Sequence, residues 1–128
     1  MELALEDAGL GAADIGHVNA HGTSTPLNDA AEAEALVKVF AGDPPPVTSM
    51  KGVTGHLIGA AGAVEAVGSL LSARDGKVPP TANHERTDPG ISIDVVHGSA
   101  RDVTGPVVSN SFGFGGHNAT LVIAPVTG

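Results

Sequence analysis

Three glycine-flanked segments carry the polar side chains on which chemistry could be built: VNAHGTSTP at 18–26, MKGVTGHLIGAAG at 50–62 and SNSFGFGGHN at 109–118. The first two each hold a histidine, His21 and His56, and Lys51 lies five residues before His56. Two neutral imidazoles, each donating one N–H, can polarise a carbonyl and stabilise the enolate formed from it. A lysine turned inward would hold His56 neutral and attract an anion; turned outward it is an ordinary surface cation. A lone loop histidine serves equally well as a hydrogen-bonded structural group. Metal binding is the competing chemistry, but the HExxH spacing and the thiolate ligands that favour it are absent.

Thr23 and Thr25 place two hydroxyls beside His21, where they can cap the following helix or bond the amides of an extended ligand. In Phe112-Gly113-Phe114-Gly115-Gly116, large rings alternate with a mobile backbone. Such a segment is either a hairpin turn whose rings pack on the core or a hinged gate whose backbone N–H also serves as a donor. Glu65 follows Lys51 by 14 residues, close to four helical turns, yet the glycines between them leave an ion pair undecided by spacing alone.

The elements that must position these groups follow from the hydrophobic pattern. Leu3, Ala4, Leu5 and Ala8 fall roughly on one helical face, with Gly9 as the stop. His17 to Ala20 reads as a strand. Asn28 or Asp29 can cap the next helix, with Glu32 at the capping-box position; Ala35, Leu36, Val39 and Phe40 continue it to about Gly42. Pro44, Pro45 and Pro46 cannot extend a helix. Val47 to Ser49 reads as a second strand entering a loop. A third helix, apolar at Ala61, Val64, Val67, Leu70 and Leu71, ends near Asp75-Gly76. An irregular stretch runs from Pro79 to about Pro89. Val107 to Ser111 and Thr120 to Pro125 read as the last two strands. This order predicts an α/β layer fold with buried strands, and two of the three polar segments follow a strand directly, where ligands bind in such folds.

The 128 residues fit one compact domain, with no repeat and no interdomain linker. Lys and Arg number 6 against 14 Asp and Glu, so the net charge of −8 repels phosphate backbones and argues against nucleic acid as a partner. No basic run invites an anionic membrane surface, no apolar run is long enough to span a bilayer, and acidic residues stand where a signal peptide would be basic. A cytoplasmic protein is the expectation. Cysteine is absent, which removes disulfides, thiolate metal sites and a cysteine nucleophile from these residues. Tyr and Trp are absent too, so the core must be built from Ala, Val, Leu and Ile.

Taken together, VNAHGTSTP, SMKGVTGHLIGAAGAVEA and SNSFGFGGHN resemble, in order and spacing, the motifs of the β-ketoacyl-acyl carrier protein synthases, elongating type II condensing enzymes of the thiolase superfamily. The stretch VPPTANHE at 78–85 matches as well. The resemblance implies a thiolase-like half: a mixed five-stranded sheet covered by helices, forming the C-terminal half of a condensing enzyme. It implies decarboxylative Claisen condensation of malonyl-carrier protein with an acyl thioester, with no metal or redox cofactor. His21 and His56 would be the active-site histidines, Lys51 the active-site lysine and Glu65 its supporting partner. Thr23 and Thr25 would contact the phosphopantetheine arm. Phe114 would be the gate and give its N–H to the oxyanion hole, within a substrate-facing loop that includes Phe112, Gly113 and Gly115. The implied partners are acyl carrier protein, the N-terminal half that bears the cysteine nucleophile, and a second copy in a homodimer.

The family's nucleophile is a cysteine in its first half, so these residues alone are expected to be inactive. Modular polyketide synthases share the histidine scheme, although Asn19 and Ser24 favour the dissociated fatty acid system. A non-catalytic, chain-length-factor-like binding subunit is the other alternative; the presence of both histidines and Lys51 speaks against it.

Overall fold

The computed structural model describes residues 1–125. Among these residues, four α-helices and six strands follow in the order α1 (Glu2–Ala8), β1 (His17–Asn19), α2 (Pro26–Val39), β2 (Val47–Thr48), α3 (Lys51–Thr54), α4 (Ala61–Asp75), β3 (Lys77–Val78), β4 (Arg101–Asp102), β5 (Val107–Phe112) and β6 (Asn118–Ile123). The main sheet has the order β2-β1-β5-β6. β1 runs parallel to both β2 and β5, and β6 returns antiparallel to β5 with Val107 opposite Ile123 and Phe112 opposite Asn118. A separate antiparallel ribbon joins β3 to β4.

The fifth strand is reduced to one parallel bridge, Val95 to Val47, outside β2. The Val47 N–H donates to the Asp94 carbonyl at 2.8 Å, and Val47's own carbonyl accepts the Val96 N–H at 2.9 Å. The ladder cannot grow back along β2, because Pro44, Pro45 and Pro46 bring no N–H.

Strand alternation sorts the side chains onto two faces. Val18 and Val108 turn to the side of α1 and α2, where with Leu5, Ile15, Ala20, Leu36, Phe40 and Val47 they form the hydrophobic core. His17, Asn19 and Ser109 lie on the other side, under α4, and are fully or almost fully buried. α1 stops where expected, at Gly9 with φ of 66°, whose N–H satisfies the last carbonyls.

Several expectations need correction. Only Leu5 of the α1 stripe is buried, and Leu3 faces solvent. α2 begins earlier than the Asn28/Asp29 cap would place it: Pro26 is its first residue, because a proline's fixed φ suits that position and its missing N–H costs nothing there. Glu32 is consequently deep in the helix rather than in a capping box. α4 has the expected span but turns Glu65, Ser69, Ser72 and Ala73 toward the sheet. Its apolar residues Val64, Val67, Leu70 and Leu71 are exposed. The inner face of α4 is polar because it must meet the polar side of the sheet and a buried lysine. The single-turn helix α3 replaces what the sequence reads as a loop, and the β3–β4 ribbon falls on residues to which the pattern assigns no element. Each is too short to leave a hydrophobic period. Among the described residues no helix is long and apolar enough to cross a membrane.

Candidate active site

The C-terminal ends of β1 and β2 and the β5–β6 turn deliver the three polar segments to one edge of the sheet. β1 carries the chain into the buried His21, and Gly22, with φ of 42°, turns it sharply away. That turn is clamped on both sides. Glu32 of α2 accepts the N–H of His21 and of Gly22 through its two oxygens, each at 2.9 Å, and also takes a hydrogen bond from Asn110 Nδ2 at 3.1 Å. Ser49, just past β2, donates its hydroxyl to the Gly22 carbonyl at 3.0 Å.

The two histidines converge. Their ring centroids lie 5.5 Å apart, edge to face at 86°. Phe112 packs beside His21 with centroids 5.7 Å apart. The His56 Nδ1 accepts the backbone N–H of Ile58 at 3.2 Å, so a neutral His56 carries its proton on Nε2. Burial lowers the His21 pKa below the ordinary 6.5, and the nearby charges of Lys51 and His56 lower it further; Asp29 opposes them weakly. At pH 7 His21 is therefore a neutral imidazole.

Lys51 is turned inward and almost fully buried, and its Nζ meets Glu65 Oε1 at 2.5 Å. The pair that spacing left open thus exists. α3 and the following 3₁₀ turn (Ile58–Ala60) absorb the glycines and bring α4 back under Lys51. A buried ammonium left without such a counter-charge would be strongly destabilising.

The remaining residues sit at the margin. The hydroxyls of Thr23 and Thr25 bond each other at 3.0 Å. Thr25 occupies the N-cap position of α2 but makes no side-chain cap bond. Gly113 donates its N–H to the His117 carbonyl at 3.0 Å and closes the β5–β6 turn. Gly115 adopts φ of 74°, which a residue with a Cβ rarely does. Between these glycines Phe114 is fully exposed, so its ring does not pack on the core, whereas Phe112 is half-buried against His21. A groove of about 990 Å³ opens from Thr23, Lys51 and His56 along α2 toward Ile91 and Val95. Among the described residues no three His, Asp or Glu side chains come together as a metal-ligand set.

Sequence reasoning misplaced Glu32, which holds the His21 turn. Its signal was present: Glu32, Leu36 and Phe40 share one helical face, and a carboxylate on an apolar stripe calls for buried N–H donors.

A mixed α/β sheet whose strand ends bring two imidazoles and a buried lysine to one small site is the arrangement that the resemblance to the thiolase-like condensing enzymes implies. Comparison with known proteins agrees. The family model "Beta-ketoacyl synthase, C-terminal domain" matches residues 1–85, and the chain belongs to that family. It is 48% identical over 130 residues to the 3-oxoacyl-[acyl-carrier-protein] synthase 2 of Coxiella burnetii (strain RSA 493 / Nine Mile phase I). That alignment covers 98% of this chain and 31% of the relative, so the chain spans about a third of the relative's length. Among solved structures, the ishigamide ketosynthase/chain length factor superposes with a TM-score of 0.94 at 39% identity, over 98% of this chain and 32% of that one. A type II polyketide synthase ketosynthase in complex with its acyl-carrier protein, bound to the hexaketide, superposes with a TM-score of 0.92 at 30% identity, over 98% of this chain and 32% of that one.

Proposed function

We propose that this chain is the C-terminal part of a 3-oxoacyl-acyl carrier protein synthase, an acyltransferase that elongates fatty acyl chains. Its partner is the N-terminal part that supplies the cysteine nucleophile. The observation that carries the reading is the convergence of His21 and His56 at 5.5 Å between centroids, with Lys51 buried behind them.

In the proposed reaction the bond between the malonyl α-carbon and its carboxylate breaks and carbon dioxide leaves. The electron pair passes into the thioester carbonyl, whose oxygen becomes the enolate oxygen. His56 Nε2–H and a His21 N–H donate to that oxygen, stabilising charge where it develops. The enolate carbon then attacks the acyl thioester held on the N-terminal part's cysteine; a carbon–carbon bond forms and the thiolate departs. Neutral His21 keeps one ring N–H, and that hydrogen is the one it donates to the developing oxygen charge. Thr23 and Thr25 line the approach for the phosphopantetheine arm of acyl carrier protein. Phe114, with Phe112, Gly113 and Gly115, forms the gate, and the Phe114 N–H contributes to the oxyanion hole for the acyl carbonyl. Glu65 keeps Lys51 in place. The enzyme works in the cytoplasm as a homodimer and uses no metal or redox group.

The exposed stripe of α4 (Val64, Val67, Leu70, Leu71) supports the two-part reading, because an apolar helix face is normally covered. The test is reconstitution. The chain is mixed with the part of the Coxiella burnetii relative that lies outside the matched segment, and 3-oxoacyl product is measured from acyl- and malonyl-carrier protein. Product from the mixture and none from the chain alone is expected, with V67E abolishing co-elution of the two parts. Product from the chain alone, or a mixture that assembles and stays inert, overturns the proposal.

A further inference from the structure

The irregular stretch after α4 passes beneath both histidine loops, and the mechanism above gives it no role. Thr81 is anchored by its own N–H to the Val96 carbonyl at 2.7 Å. Its Oγ1 accepts the Ser49 N–H at 3.2 Å and lies 3.2 Å from Thr48 Oγ1. Ser49 is the residue whose hydroxyl holds the Gly22 carbonyl, one peptide from His21. Two residues further on, Asn83 adopts φ of 60°, a left-handed conformation that most side chains avoid but asparagine tolerates. From there its Nδ2 donates to the Gly52 carbonyl at 2.9 Å. Ala82 lies so close to α3 that a Cβ on Gly52 would run into the Ala82 carbonyl oxygen.

These contacts fall where they are needed. α3 is one turn of four residues with no side-chain cap, far too short to hold its own shape. Yet it carries Lys51 at its start, and one residue past its end Gly55 leads straight into His56. Glu65 fixes the Lys51 end. The Asn83 amide and the Ala82 backbone fix the middle.

We propose that Thr81 and Asn83 are positioning residues for the two imidazoles: Thr81 sets the His21 loop through Ser49, and Asn83 sets His56 by seating α3. The role of the imidazoles rests on the condensing reaction proposed above; the positioning itself does not. Asparagine is matched to its place on two counts. Glycine would keep the backbone conformation and lose the donor. Aspartate would keep the shape and turn an acceptor toward the Gly52 carbonyl.

The test is nitrogen-15 NMR of the imidazoles in the intact 128-residue chain, without substrate, so its outcome is independent of whether the condensing reaction is right. Wild type is expected to show His56 with its proton on Nε2 and His21 titrating below 6.5 among the charges that face it, Lys51, His56 and Asp29. In T81V the His21 midpoint moves up toward 6.5, and T81S restores it. In N83D and N83G the His56 signals move toward a mixture of the two tautomers. N83G is the safeguard against misfolding, because it keeps the left-handed residue. Should T81V and N83G fold and leave both imidazole signatures at their wild-type positions, or should T81S fail to restore what T81V moves, the strap is only structural and the proposal is wrong.

Discussion

His17 opens the strand that ends in the His21 loop, and it offers a quantitative handle on how firmly that strand is held. The side chain is 1% exposed, and its Nε2 has no hydrogen-bond partner. Burial lowers its pKa from 6.5 to about 4. The unfolded chain therefore takes up a proton near 6.5 and the native chain only near 4, so between those values the unfolded state binds more protons. Stability is greatest above pH 6.5 and falls with pH through that window. The gap from 6.5 to about 4 is worth about 3.4 kcal/mol in all, and about 2 kcal/mol of it is lost by pH 5. Carboxylates titrate nearby, so the effect is isolated by difference. His17→Leu removes the ionisable group together with an unsatisfied buried nitrogen, and at pH 7.5 it should lie within about 1 kcal/mol of wild type. Urea unfolding of both proteins at pH 7.5, 6 and 5 is the assay. Relative to wild type, H17L should gain about 2 kcal/mol between the first and last of these. A stability difference that does not change with pH would show that His17 is not held neutral by burial.

Other perturbations probe the site more directly. Glu65→Leu strands a buried ammonium and should cost about 3–5 kcal/mol in urea unfolding at pH 7, whereas the double variant K51M/E65L should recover most of that loss; equal losses in the two would show that the pair is not coupled. Gly22→Ala forces a Cβ to within 2.7 Å of Ser49 Cβ and Oγ at a φ of 42°, and should cost about 2 kcal/mol or more, read as a lowered thermal midpoint. An unchanged midpoint would mean the turn is not clamped as described. Glu32→Gln turns an amide N–H₂ toward the N–H of His21 or Gly22, leaving a buried donor unsatisfied; a loss of about 1–3 kcal/mol is expected, and a neutral result contradicts the buried carboxylate's role.

Much of this arrangement is legible in the residues. His21, Lys51 and His56 each stand beside a glycine, and His21 and Lys51 lie just past short segments that read as strands; that is enough to suggest strand-end loops able to approach one another. The motif order then carries the rest of the family resemblance. Other features leave no periodic trace. Val64, Val67, Leu70 and Leu71 mark a helix face correctly, but pattern alone equates apolar with inward, and here the inward side is Glu65, Ser69 and Ser72. The reversal follows from Lys51, a long-range partner that no local window contains. Glu32 at capping-box spacing imitates a helix start because Pro26 had already taken that position. Thr81 and Asn83 lie in a stretch without hydrophobic period, where backbone conformation and single hydrogen bonds, rather than burial, decide what touches what.

The central claim is that the paired imidazoles stabilise an enolate oxygen. The most direct measurement is carbon dioxide release from malonyl-carrier protein by a chimera in which this chain replaces the matched segment of the Coxiella burnetii synthase. The wild-type chimera should decarboxylate malonyl-carrier protein, and H21A and H56A should each lose release by roughly 100-fold or more while remaining folded. Undiminished release from either folded histidine variant would contradict the account.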